Sequence, residues 1–154
     1  MAGKIEARLE ELGITLPAAA IPQANYVPYV VTGKLVFIAG QIPIRDGNII
    51  TGKLGDDADL ATGQKAARLC ALNLISQLRA ACDGDLDRMR RVVKLGGFVN
   101  ATPDFTDPPQ VMNGASDLIV EIFGDSGRHA RFAVAVACLP RGAAVEVDGV
   151  FEIG

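Results

Sequence analysis

The stretch that decides the fold runs Ala130-Arg131-Phe132-Ala133-Val134-Ala135-Val136-Ala137-Cys138-Leu139-Pro140-Arg141-Gly142-Ala143-Ala144-Val145-Glu146-Val147. Alternation on both sides of the Leu139 to Gly142 turn signal predicts two strands, Arg131 to Cys138 and Ala144 to Ile153. Successive side chains point to opposite faces of a strand, so Phe132, Val134, Val136 and Cys138 share one side and Arg131, Ala133, Ala135 and Ala137 the other. The first set suits packed helices. The flat alanine set suits a protein-protein surface, which closed cyclic symmetry would complete. In the last strand Glu146, Asp148, Val150 and Glu152 share a side, which puts acids near a subunit junction.

Working outward, Tyr26 to Thr32 and Lys34 to Ala39 flank Gly33 and read as a hairpin, closed by Gly40-Gln41-Ile42-Pro43, with a third short strand through Asn48 to Thr51. Leu60, Ala67, Ala71, Leu74, Leu78 and Ala81 trace one face of a long helix between Asp57 and Cys82, and Asp83-Gly84 stops it. Arg90 to Ala101 reads as a strand in which Gly96 and Gly97 permit a bulge or a close neighbour. Asp107-Pro108 has the form of an N-cap followed by proline, and Val111, Ala115, Leu118, Ile122 and Phe123 carry a second long helix to Gly124. Ile5, Leu9 and Leu12 before Gly13 make residues 1–13 an accessory N-terminal helix. The order is ββ(β)α then βαββ, an α+β class with a mixed sheet and two long helices on one face.

The 154 residues fit a single domain, 1–154, with one core. A net charge of −3 without a basic run argues against a nucleic-acid partner. Cys70, Cys82 and Cys138 are widely spaced and accompany only one histidine, so neither a disulfide framework nor a metal site is expected. The first fourteen residues are charged and helix-periodic, which implies neither a signal peptide nor a membrane span and places the protein in the cytoplasm.

Arg131 begins an apolar strand and offers a planar fork of donors that fits a carboxylate at two points; a strand-end arginine reaching solvent or a local acid is the alternative. Glu146, the only acid between Leu139 and Val147, suits orienting or activating a water, or else sits solvated at a strand edge. If the last two strands form a hairpin, Arg131 faces Glu152 and lies about six residues, roughly 20 Å, from the partner of Glu146. One chain then cannot bring the two into one pocket, whereas two neighbouring subunits can. Tyr26, Asn113 and His129 are weaker candidates, for a ligand hydroxyl, a helix-surface amide and a base respectively.

Gly40-Gln41-Ile42-Pro43 resembles the GQIP strand end of the RidA/YjgF family. Ala130-Arg131, followed by Leu139-Pro140-Arg141-Gly142-Ala143-Ala144-Val145-Glu146-Val147, resembles that family's AR…LPKGAxVEIE signature, and the likeness runs from about Tyr26 to the C-terminus. The resemblance implies a chorismate-mutase-like fold, a homotrimer with sheets facing inward, and clefts between subunits. It implies hydrolysis of enamine/imine intermediates such as 2-aminoacrylate to a 2-keto acid and ammonia, with no cofactor or metal. Arg131 would bind the substrate carboxylate, Glu146 would stand near the attacking water, and Tyr26, Gly40 and Asn113 would line the pocket. Ala39 and Ala133 replace polar residues common in the family, and the N-terminal helix resembles a longer subgroup. A non-catalytic trimer that binds a small carboxylate is the competing reading. An endoribonuclease or translation inhibitor, an old label for some relatives, is disfavoured by the acidic balance.

Overall fold

The computed structural model of the chain describes residues 2–21 and 24–154; Met1, Pro22 and Gln23, inside the expected 1–154 domain, lie outside the described residues. Its elements are α1 (Lys4–Glu11), β1 (Tyr29–Thr32), β2 (Leu35–Gln41), β3 (Ile44–Arg45), β4 (Asn48–Ile49), α2 (Leu60–Ala81), β5 (Met89–Asn100), α3 (Pro108–Phe123), β6 (Ala130–Val136) and β7 (Val145–Ile153). β1, β2, β7, β5 and β6 form one sheet in that order, and β3 with β4 forms a small separate ribbon. The pairings are antiparallel except β5 with β6, so the sheet is mixed.

Local chemistry accounts for most element ends. Gly33 turns the β1–β2 hairpin at φ +58, which glycine adopts without strain. The Asp59 carboxylate accepts the Thr62 N–H and starts α2, while Asp83 and Gly84, both at positive φ, end it. Pro108 and Pro109 occupy the first turn of α3, where their missing N–H groups cost nothing; Asp107 holds the cap position without a side-chain bond.

The last two strands are not a hairpin. β6 pairs in parallel with β5, Arg131 opposite Leu95, and β7 pairs antiparallel along the other edge of β5. Glu152 therefore faces Leu35 and Arg91, not Arg131. The cause is α3, which returns the chain parallel to β5 as a crossover. The segment 137–144 then arches over the end of β5, where Ala101 N–H donates to Val136 O and Asn100 N–H to Ala144 O.

The two faces of β6 are also the reverse of the expectation. Arg131, Ala133 and Ala135 look toward the helices, and Phe132 and Val134 toward the uncovered face, where Phe132 meets Phe98 edge-on at 5.2 Å. Ala133 packs against the core beside Gly97, and α3 comes close there: a Cβ on Gly97 would stand 2.3 Å from the Met112 sulfur. Gly96 and Gly97 thus serve close approach, and the bulges of β5 lie earlier, between Met89 and Arg91 and between Val92 and Lys94.

The core fills the space between the sheet and α2 with α3, including Val36, Leu74, Leu78, Leu95, Ile119, Val147 and Phe151. Glu146, Asp148, Val150 and Glu152 alternate with the buried Val145, Val147 and Phe151, so they share the open face, as the sequence pattern requires. Phe37 (44% exposed) and Val134 (43%) lie on that face too, giving it an apolar as well as an acidic character. Among the described residues no helix is long and apolar enough to cross a membrane.

Candidate functional site

Tyr26, Gly40 and Glu146 gather near the end of β2. Ile38 faces Gly149 and Gln41 faces Val147, so two residues of β2, Ala39 and Gly40, bulge opposite Asp148 of β7. The bulge carries Gly40 against Glu146: a Cβ at Gly40 would stand 2.5 Å from Glu146 Oε1. Tyr26, Gly40 and Arg141 line one cavity of about 330 Å³ with Pro28, Ile42 and Gln77. Arg141 holds the left-handed backbone at φ 57, an uncommon state for a residue with a side chain. Partial burial, and then the nearby Asp148, push the Glu146 carboxyl above its ordinary range.

Arg131 and Asn113 lie elsewhere, at the β6 edge beneath α3. Arg131 Nη1 donates to Ser116 Oγ at 3.0 Å and Nη2 donates to the Pro109 carbonyl at 3.2 Å. Pro109, Asn113 and Ser116 follow at i, i+4 and i+7, so Asn113 stands on the same stripe of α3 that holds the guanidinium. His129 extends the cluster, with Nε2 2.9 Å from Ser116 Oγ and Nδ1 2.6 Å from the Gly127 carbonyl. No acid pairs with Arg131 among the described ion pairs, which leaves the positive charge available to an anion.

The five expected residues thus form two groups in one chain. Arg131 faces the helix side of the outermost strand, and Glu146 faces the open side two strands away. The hairpin argument for their separation falls, but the strand order separates them as well. Ser116 carries no spacing signal as a lone serine on a helix, and His129, a candidate base by sequence, is half-buried and bonded at both nitrogens. Arg141 was read only as part of a turn. A larger groove of about 950 Å³ lies between α1 and the end of α3, but much of its charge is engaged: Asp87 accepts the Lys4 and Ile5 N–H groups, and Arg8 pairs with Glu11. Among the described residues no group of three His, Cys, Asp or Glu side chains is placed to hold a metal ion.

The chain is 55% identical to Protein TCP17 of Trypanosoma cruzi over 98% of its length and 95% of that protein's. It is 29% identical to a 2-iminobutanoate/2-iminopropanoate deaminase of Dermatophagoides farinae, over 91% of this chain and 94% of the other. The crystal structure of Atu1372 from Agrobacterium tumefaciens, a protein described as of unknown function, superposes with a TM-score of 0.91 at 50% identity, covering 97% of this chain and 92% of that one. Residues 6–150 match the family described as "YjgF/chorismate_mutase-like, putative endoribonuclease". With that match, the GQIP strand end and the Arg131 to Glu146 signature in their expected elements, the chain belongs to the RidA/YjgF family.

Proposed function

We propose that this protein is an imine/enamine deaminase: a homotrimer that hydrolyses small 2-imino acids of the 2-aminoacrylate type to 2-keto acids and ammonia, in sites shared between neighbouring copies. The observation that carries this reading is the division of the candidate residues into two half-sites. Arg131 with Asn113 offers a carboxylate anchor. Glu146 with Gly40 and Tyr26 offers a carboxylate for proton transfer beside accessible backbone. A second copy laid on the open sheet face joins one half to the other, and Phe37, Val134 and Val30 give that face apolar surface to bury.

The chemistry needs little more. Water adds to the imine carbon, forming the C–O bond, and one of its protons passes to nitrogen. The C–N bond of the resulting carbinolamine then breaks, the hydroxyl proton also moves to nitrogen, and ammonia leaves as the keto group forms. Glu146 takes the proton from water and returns it to nitrogen, and its raised proton affinity brings it nearer to neutral working conditions. Arg131 holds the substrate carboxylate through the reaction, Asn113 stands beside it, and Tyr26 and the Gly40 backbone line the approach.

The 29% identity to an iminobutanoate/iminopropanoate deaminase supports this reaction class. Ala39 and Ala133, which contribute no polar contact, favour as a second reading a trimer that binds small carboxylates without turnover. The acids Glu146, Asp148 and Glu152 on the open face disfavour a phosphate backbone as ligand. Incubation with enzymatically generated iminopyruvate discriminates. Faster pyruvate release that disappears in Arg131→Ala is the expected result. Saturable 2-keto acid binding without acceleration would leave the binding module, and RNA cleavage that survives repurification and is lost in Arg131→Ala would contradict both.

A further inference from the structure

We infer that Ser116 and His129 are positioning residues for Arg131, holding its guanidinium in the orientation a ligand carboxylate needs; the inference rests on Arg131 as the carboxylate anchor. Four groups form a hydrogen-bond chain. His129 Nδ1 lies 2.6 Å from the Gly127 carbonyl oxygen, His129 Nε2 lies 2.9 Å from Ser116 Oγ, and Arg131 Nη1 donates to that oxygen at 3.0 Å.

The directions follow from which groups own protons. A backbone carbonyl has none, so Nδ1 carries the hydrogen and donates it to Gly127 O. Nε2 of the neutral ring is then an acceptor, and it takes the Ser116 hydroxyl proton. A guanidinium is only a donor, so Nη1 gives its hydrogen to a lone pair of Ser116 Oγ. Every group has one role, and no two donors oppose each other.

The chain is anchored at its far end. Gly127 closes the turn after α3, and a Cβ there would stand 2.6 Å from the Ile119 carbonyl oxygen, so the turn lies hard against the helix and its carbonyl is fixed. At the near end Nη2 donates to the Pro109 carbonyl, one stripe of α3 thus holding both arms of the fork. Among the described residues nothing else takes the remaining N–H groups of Arg131, which are left for a ligand, and the side chain has given up its rotamer freedom before the ligand arrives. His129 reaches no ligand in this scheme; it acts through Ser116.

Calorimetric titration of 2-oxobutyrate, the stable 2-keto acid analogue, into the full chain tests the inference. Ser116→Ala should weaken binding about tenfold, the equivalent of one charge-assisted hydrogen bond. His129→Leu should weaken it about threefold, by freeing the serine hydroxyl to rotate. Ser116→Thr and His129→Gln, which keep a hydroxyl and an acceptor, should recover binding to within about twofold. Melting temperatures matched across the set separate positioning from general damage. If Arg131→Ala loses binding while Ser116→Ala and His129→Leu bind like the wild type, this inference is overturned and the anchor stands. Equal losses in Ser116→Thr and Ser116→Ala would also overturn it. If the wild type does not bind, or Arg131→Ala binds equally well, the anchor fails and this inference fails with it.

Discussion

Arg131 and Glu146 are exposed to opposite physical demands, and single substitutions separate them. Arg131→Ala removes a charge-assisted donor fork, and carboxylate ligands should bind about 10- to 100-fold more weakly while the melting temperature changes little. Gly40→Ala is subtler: its Cβ would meet Glu146 Oε1, the end of a flexible side chain, so the fold should survive while Glu146 is displaced and turnover drops, to be read by kcat at unchanged circular dichroism. Glu146 also makes a pH prediction. Burial and Asp148 raise its proton affinity in the folded state, so folding binds more protons than the unfolded chain between the ordinary carboxylate value and the raised one. Its contribution to stability is therefore greatest at low pH and is lost as pH rises through that window. Glu146→Gln should melt at or above the wild-type temperature near pH 7 while losing turnover; a lower melting temperature would contradict the assignment. Arg131 and Glu146 are marked in the sequence by strand position, Gly40 by the GQIP strand end, and Tyr26 and Asn113 chiefly by the family resemblance. Ser116 is not joined to His129 or Arg131 by sequence, since thirteen and fifteen residues separate it from them and only folding brings its hydroxyl oxygen to 2.9 and 3.0 Å of their side chains.

Among the elements, α2 and α3 are legible from periodicity and end signals, and their close packing is not. A Cβ at Gly114 would stand 2.1 Å from the Gln64 backbone oxygen, so α3 touches α2 through bare backbone. Gly114→Ala should cost about 1–3 kcal/mol in chemical denaturation, since neither helix can retreat from a packed core. The N-terminus of the accessory helix α1 is tied by one side chain, the Asp87 carboxylate, which accepts the Lys4 and Ile5 N–H groups at 2.7 and 2.9 Å, while Leu9 seats the helix in the core. Those bonds hold Asp87 below the ordinary carboxylate range. The stabilisation is present above that range and is lost as pH falls through the lowered value, so α1 should lose amide-exchange protection in acid or in Asp87→Asn while the sheet keeps its own. The strand order was the element-level failure. Alternation places Arg131 to Cys138 and Ala144 to Ile153 as strands, but a turn signal does not say whether they pair, and the β5–α3–β6 crossover decides that they do not. The same omission inverted the faces of β6, because a small residue such as Ala133 packs beneath a helix as readily as against a flat surface.

At the scale of the molecule, the helices cover one face of the sheet and leave the other with exposed Phe37 and Val134 beside the half-buried Glu146 and Glu152 and the exposed Asp148. Such a face is costly in water and suits association with further copies. A charge at its apolar part, Val134→Asp, should lower the mass seen in analytical ultracentrifugation and with it the turnover, while leaving the helix content intact. The central claim is that each site joins Arg131 of one copy to Glu146 of another. Co-expression of Arg131→Ala and Glu146→Ala chains, purified as mixed oligomers and assayed on enzymatically generated iminopyruvate, addresses it most directly. Each parent oligomer should be inactive, and an even mixture should recover about a quarter of wild-type activity, because a random neighbouring pair supplies both intact residues about one time in four. Mixed oligomers as inactive as their parents would contradict the shared site.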